Sequence, residues 1–183
     1  MHFIRLEFAV RQTKFSNFVF DKGELSKNQR DGARLIFGKA KFSVCHSGSL
    51  FSDMKFHAIP FPQIGSGKNG FGVDFGRFNV THNTSDIYAF RTPPLLDVTF
   101  TAPYGHSGSV RDLADAIIMH FDPLRGIDTQ SMKTDERIEL YRRLIAAPVD
   151  LKLVPVLSQN DVSNLVAFLS TLAQTRNKTA TNQ

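Results

Sequence analysis

From Ser47 to about Pro94 the sequence carries little helical periodicity. Gly, Pro, Asn and Ser recur, as in Ile59-Pro60-Phe61-Pro62 and Gly65-Ser66-Gly67-Lys68-Asn69-Gly70. The pattern predicts a long loop region with at most short strands. A loop of that length inside a compact domain is unusual and is often functional. A large group packed against it would explain how it stays ordered. The glycine-rich piece lacks the G-x-x-x-x-G-K-[ST] spacing and any strand-loop-helix context, so it reads as a flexible turn rather than a phosphate cradle.

At the entrance to this region stands Phe42-Ser43-Val44-Cys45-His46, which holds the only cysteine in the chain. A c-type haem attachment site reads C-x-x-C-H. Here the last cysteine and the histidine are present, and Phe42 stands where the first cysteine would be. The chemistry of that motif is local. A cysteine sulfur bonds a haem vinyl group, and the next residue turns an imidazole nitrogen onto the iron. One thioether and one axial ligand are therefore available, and a second thioether is not. Taken alone, the dipeptide is also compatible with a free cysteine acting as a small buried hydrophobe.

The 183 residues suit one domain, and 42% hydrophobic content is enough for a core. The 17 Phe, with no Trp, would serve either an aromatic core or the walls of a large flat apolar cofactor. The formal net charge of +5 is a modest excess spread along the chain. No basic stripe interleaved with aromatics is present, so nucleic acid is not an expected partner. A basic face would instead steer an acidic protein partner. One cysteine excludes an internal disulfide framework and a zinc cluster of several cysteines. The first residues, Met1 to Glu7, do not read as a signal peptide because charges interrupt the apolar run. No stretch approaches the roughly 20 apolar residues of a membrane span.

The helical signals flank the loop region. Residues 1–14 suit a short helix with one apolar side, or the end of an element begun earlier. Ser26-Lys27-Asn28-Gln29 is a capping box, and the helix it opens should stop at Gly38. Ser109 to His120 reads as a helix with Val110, Leu113, Ala114, Ile117 and Ile118 on its apolar side. Glu136 to Ile145 predicts another. Ser158-Gln159-Asn160-Asp161 opens the last, with Val162, Leu165, Val166, Phe168, Leu169 and Leu172 facing the core. The expected fold class is mainly α: a cytochrome c-like helical domain with long irregular loops and at most short β-strands.

The order of these motifs resembles the C-terminal haem domain of the bacterial di-haem cytochrome c peroxidases, a family that includes the di-haem enzyme of methylamine utilisation. Gly32 to Phe37, Cys45-His46, then Ser47 to Asp53 with Phe56-His57 are similar to the family's attachment region. Asp74-Phe75-Gly76-Arg77-Phe78 and Ala89-Phe90-Arg91-Thr92-Pro93 are similar to its central loop. Thr101-Ala102-Pro103-Tyr104-Gly105-His106-Ser107-Gly108 is similar to its T-A-P-Y-x-H-x-G segment, and Asp161 to Leu172 to its closing helix. The resemblance divides the chain into residues 1–23, a remnant of the family's N-terminal haem domain or a linker; 24–176, the haem domain; and 177–183, a disordered tail.

The resemblance also implies roles. Cys45 would form the single thioether of one haem c, and His46 would be the proximal iron ligand. Phe42 replaces the first haem cysteine. By ungapped counting from Thr101-Ala102-Pro103, the second axial ligand falls on His120, where the family has methionine or tyrosine; Met119 is the runner-up if the register slips. Arg77 and Arg91 would pair with haem propionates. Thr101 and Pro103 would offer backbone oxygens to a calcium ion, whose remaining protein ligand would come from a domain this sequence lacks. His57 and His106 read as structural hydrogen-bonders, and His82 has no assigned role. The implied function is electron entry supporting hydrogen peroxide reduction. The implied partners are a donor cytochrome c or small copper protein, and an N-terminal peroxidatic haem domain supplied elsewhere. The implied compartment is the periplasm. The alternative is a haem-less remnant that acts as a binding or structural module. Whether the chain is an enzyme by itself stays open, because the peroxidatic haem motif is absent.

Overall fold

A computed structural model describes residues 12–63, 68–69, 73–125, 127–147 and 156–174. The expected element in residues 1–14, most of the glycine-rich turn and the tail at 177–183 lie outside the described residues.

The framework is two helices, one before the loop region and one at the end of the chain. Helix α1 spans Lys14–Phe20 and α2 spans Lys27–Phe37. Helix α2 begins where the sequence predicts. Ser26 accepts from the Gln29 amide at 3.3 Å, and the Gln29 side chain accepts from the Ser26 amide at 3.0 Å. Its end at Gly38 also matches. The short helix α3 spans Phe78–Thr81, α4 Leu113–Met119, α5 Thr134–Ala146 and α6 Gln159–Leu169. Strands β1 (Phe56–His57) and β2 (Phe90–Arg91) pair antiparallel, with Phe56 opposite Arg91 and His57 opposite Phe90. This small ribbon ties the two ends of the long loop region together. Mainly helical architecture with one two-stranded sheet is therefore what the described residues contain.

Helices α2 and α6 cross at Gly32. A Cβ built there would lie 1.9 Å from the Asn164 carbonyl oxygen and 2.7 Å from Phe168 Cβ. Only a residue without a side chain lets the two backbones approach that closely. The crossing buries Ile36, Leu165, Phe168 and Leu172 to 1% exposure or less. Phe15 of α1 packs edge-on against Phe168, with ring centres 5.1 Å apart, and also against Phe51 at 5.7 Å. Part of the phenylalanine excess thus builds an ordinary aromatic core. Thr13 also bridges to Gln174, so the described end of residues 1–23 packs on the same core as the later helices.

One helix start differs from expectation. The sequence suggests a helix from Ser109, but α4 begins at Leu113, capped by Asp112, which accepts from the Ala114 and Asp115 amides. Val110 is taken up instead by a two-way backbone pairing with Tyr104, at 2.6 and 3.1 Å. The loop before α4 competes for that backbone and wins.

Candidate cofactor site

The loop region, α4 and α6 enclose a cavity of about 420 Å³. That lies within the roughly 300–1,000 Å³ typical of cofactor and small-molecule sites. Ile36, Leu165 and Leu169 form its floor at the helix crossing. Phe61, Phe90 and Pro93 come from the loop region. Cys45, His46 and His120 sit in the same wall lining, as do Phe42 and Arg91. Three phenylalanines, Phe42, Phe61 and Phe90, are in this lining.

His46 follows a 3₁₀ turn, Phe42–Val44, and its amide donates to the Phe42 carbonyl at 2.7 Å. The side chain is buried at 7% exposure, and Nδ1 donates to the Phe51 carbonyl at 3.0 Å. Burial lowers its pKa from the usual histidine range, partly offset by the carbonyls of Phe51 and Pro93. His120 caps the end of α4, and its Nδ1 donates to the Ala116 carbonyl one turn back, at 2.8 Å. Removal from water pushes its pKa down to about 4, against the Ala116 carbonyl and helped by nearby His46. Near neutral pH both imidazoles are uncharged with Nδ1 protonated. Each therefore keeps its Nε2 lone pair, the form in which histidine binds a metal.

The two rings face one another with centres 6.5 Å apart and planes at 68°. Two imidazoles on opposite sides of one ion, at the usual metal–nitrogen length of about 2.0–2.1 Å, would hold their centres roughly 6.3 Å apart. The ring separation matches that spacing, and the apolar cavity fits a flat apolar group between the rings. Cys45 completes the wall. It is half-buried, and burial, then the Asp53 carboxylate, push its thiol pKa up.

Phe42 has a defined place in this wall. Its ring stands edge-on to His120 at 5.1 Å and to Phe121 at 5.3 Å. Phe61 meets His120 from another side at 5.1 Å and 86°. The residue at the missing cysteine's position therefore helps hold the second histidine.

The remaining sequence candidates divide. Arg91 lines the cavity, with Nη1 3.3 Å from Met54 Sδ. Arg77 is not on that wall: its guanidinium lies over the Phe56 ring at 4.6 Å, and Nε is 3.2 Å from the Asp86 carboxylate. Thr101 and Pro103 both line the cavity. Met119 ends α4 next to His120 but does not line it. His57 bonds Asp53 at 2.8 Å, and His106 bonds Asp74 at 2.9 Å while stacking on Phe90 at 3.8 Å. Lys41, immediately before Phe42 in the chain, supplies a second cation on the cavity wall.

No protein-family model matches the chain. Sequence relatives are clear. The chain is 30% identical over 179 residues to the cytochrome-c peroxidase IdrP1 of Denitromonas iodatirespirans, covering 85% of this chain and 43% of that protein. It is 31% identical over 156 residues to the cytochrome c551 peroxidase of Pseudomonas aeruginosa, covering 84% and 36%. It is 32% identical over 141 residues to the methylamine utilization protein MauG of Methylorubrum extorquens, covering 74% and 37%. Among solved structures, a MauG-like protein associated with microbial copper homeostasis superposes with a TM-score of 0.72 at 24% identity, over 90% of this chain and 52% of that one. The diheme peroxidase BthA of Burkholderia thailandensis gives 0.67 at 21%, over 89% and 46%.

These similarities define a class, the di-haem cytochrome c peroxidases and MauG-like enzymes. The chain is homologous to that family along most of its length. It spans less than half the length of the curated relatives named above, at 43%, 36% and 37%.

Proposed function

We propose that residues 24–176 form a cytochrome c-like domain that holds one haem c and passes electrons within a di-haem peroxidase-like system. The observation that carries this reading is the facing pair His46 and His120 across an apolar cavity, with Cys45 in the same wall. When bound, the haem would supply a one-electron couple. His46 and His120 would hold it through Nε2, and Cys45 would anchor its edge by a single thioether. The carbonyls of Phe51 and Ala116 keep both ring tautomers fixed. Phe42 and Phe61 exclude water from the His120 side. Arg91 and Lys41 are the cations suited to the haem carboxylates by charge-assisted bonds. Arg77 is engaged by Asp86, which favours Arg91 over it for that role. Two imidazole ligands give a lower potential than a histidine–methionine pair, since a thioether ligand raises it.

Calcium at the Thr101 and Pro103 carbonyls, a donor cytochrome or small copper protein, an N-terminal peroxidatic domain and a periplasmic setting belong to the same proposal. They rest on the names and resemblance of the relatives.

The test is expression of the chain together with a cytochrome maturation system, followed by haem-stained denaturing gel electrophoresis. Covalent haem is expected in the unaltered chain and its loss in C45S. No stain in the unaltered chain, with no Soret band in the purified protein, would sink the reading and leave the haem-less module. In the loaded protein, H120A should lose the six-coordinate low-spin spectrum; an unchanged spectrum excludes His120 as ligand.

A further inference from the structure

A second group of metal-type donors stands at the rim of the cavity. Cys45 Sγ, a carboxylate oxygen of Asp53 and a ring nitrogen of His57 all lie within 4.8 Å of one another. Thiolate, imidazole and carboxylate are the donors that zinc takes, and three protein ligands with water in the fourth position make a recurrent tetrahedral site. Among the described residues this is the group of three such side chains that converges.

The convergence is held by the loop. The Asp53 amide donates to the Cys45 carbonyl at 2.7 Å, which closes the segment between them. Asp53 Oδ1 accepts from the Lys55 amide at 2.9 Å, and Oδ2 is left facing His57 Nε2 at 2.8 Å. His57 is fixed from the other side by β-pairing opposite Phe90. Ser52, next to Asp53, donates from Oγ to the Thr92 carbonyl at 2.7 Å. All three donor side chains are half-buried, so an ion would reach them without unfolding.

We infer that Cys45, Asp53 and His57 form a binding site for a divalent, borderline-soft cation of the zinc class in the chain before haem is attached. Metal bonds of about 2.0–2.1 Å to oxygen and nitrogen place tetrahedral ligands roughly 3.3 Å apart, so the Asp53–His57 contact opens by only about 0.5 Å to admit the ion. The Cys45 thiol proton leaves to solvent as the metal–sulfur bond forms. The thiolate and carboxylate together balance the charge of the ion. The site is distinct from the His46–His120 pair and does not depend on the haem reading. It shares only Cys45 with that reading, and a sulfur locked in a thioether is no longer a thiolate. Zinc loading and haem attachment therefore exclude each other.

The test uses the full haem-free chain. Zinc is titrated against a chromophoric chelator, and cobalt is bound in its place and read by absorption. One equivalent of zinc is expected. Cobalt should give a thiolate-to-metal charge-transfer band in the near ultraviolet. C45S, D53N and H57Q should each weaken zinc by at least about tenfold, as loss of a ligand exceeds the effect of altering its supports. The double variant H46A/H120A, which removes the other imidazole pair, should retain the tight zinc equivalent. Absence of the cobalt band in the unaltered chain would overturn the proposal even if C45S fails to fold. Loss of zinc in H46A/H120A with full retention in H57Q would also overturn it, by moving the ion to the facing histidines.

Discussion

At His120 the local chemistry has a consequence for stability in the chain without haem. An unperturbed histidine titrates near 6.5, and burial holds this one down to about 4. The unfolded chain therefore binds a proton that the folded chain refuses between those two values. The stability from keeping His120 neutral is fully present above about pH 6.5. It is lost as pH falls toward about 4, by on the order of 3 kcal/mol at most. Urea unfolding of the haem-free chain at several pH values should show this decline. H120Q, which cannot titrate, should make the decline shallower across that window, leaving the part that buried His46 contributes. A decline unchanged in H120Q would assign the proton to another group. At the same scale, some residues were legible and others were not. His46 and Cys45 stood out because adjacency in sequence is adjacency in space. His120 came from counting along a motif, and its ring does meet His46 across the cavity. Sequence treats Arg77 and Arg91 alike, whereas the structure puts Arg91, and not Arg77, on the cavity wall. The Arg77 partner, Asp86, sits in the 3₁₀ turn Thr84–Asp86 that follows α3, and nothing local in the sequence distinguishes Arg77 from Arg91.

At the scale of elements, the crossing of α2 and α6 depends on one missing side chain. G32A would drive a methyl group to within 1.9 Å of the Asn164 carbonyl carried by α6. Backbone, not a flexible side chain, is in the way, so relief requires the helices to part. A loss of about 1–3 kcal/mol or more is expected for overpacking of this kind, despite the gain in helix propensity from replacing glycine. Denaturant midpoints at constant m-value would measure it, and an equal or higher midpoint would contradict the geometry. The caps of α2 and α6 were readable because a capping box is a four-residue affair: Ser26 with Gln29, and Ser158 with Asp161. The start of α4 was not, because the outcome was decided by Tyr104 pairing with Val110. The gathering of Asp53 and His57 around Cys45 was equally hidden. It follows from a backbone bond that closes the loop and from a two-residue ribbon whose partner lies more than thirty residues on.

For the whole molecule, the long aperiodic stretch proved to be the cavity's outer wall, as its length implied, while the terminal helices supplied the floor. Under the proposed ligation, His46 and His120 would both bind one haem iron and leave no position open to peroxide. The haem-loaded chain should therefore consume hydrogen peroxide no faster than background when supplied with a reduced donor protein, as followed with a peroxide electrode. Turnover well above background would mean that one histidine leaves the ion. Loaded chain that accepts electrons from the donor yet leaves peroxide untouched is the expected combination.

The two carbonyls that steady the facing histidines belong to different parts of the chain. His120 is tethered to its own helix through Ala116, so it rides with α4. His46 is tethered through Phe51 to the loop on the far side. The gap between the rings is thus a caliper whose jaws are α4 and the attachment loop. Its setting is fixed by how Ile117 of α4 packs in the core cluster with Leu165 and Leu169 of α6. Trimming Ile117 to valine, at a cavity-lining residue that supplies no ligand atom, would loosen a jaw rather than remove one, and the spectrum of whatever spans the gap would register it.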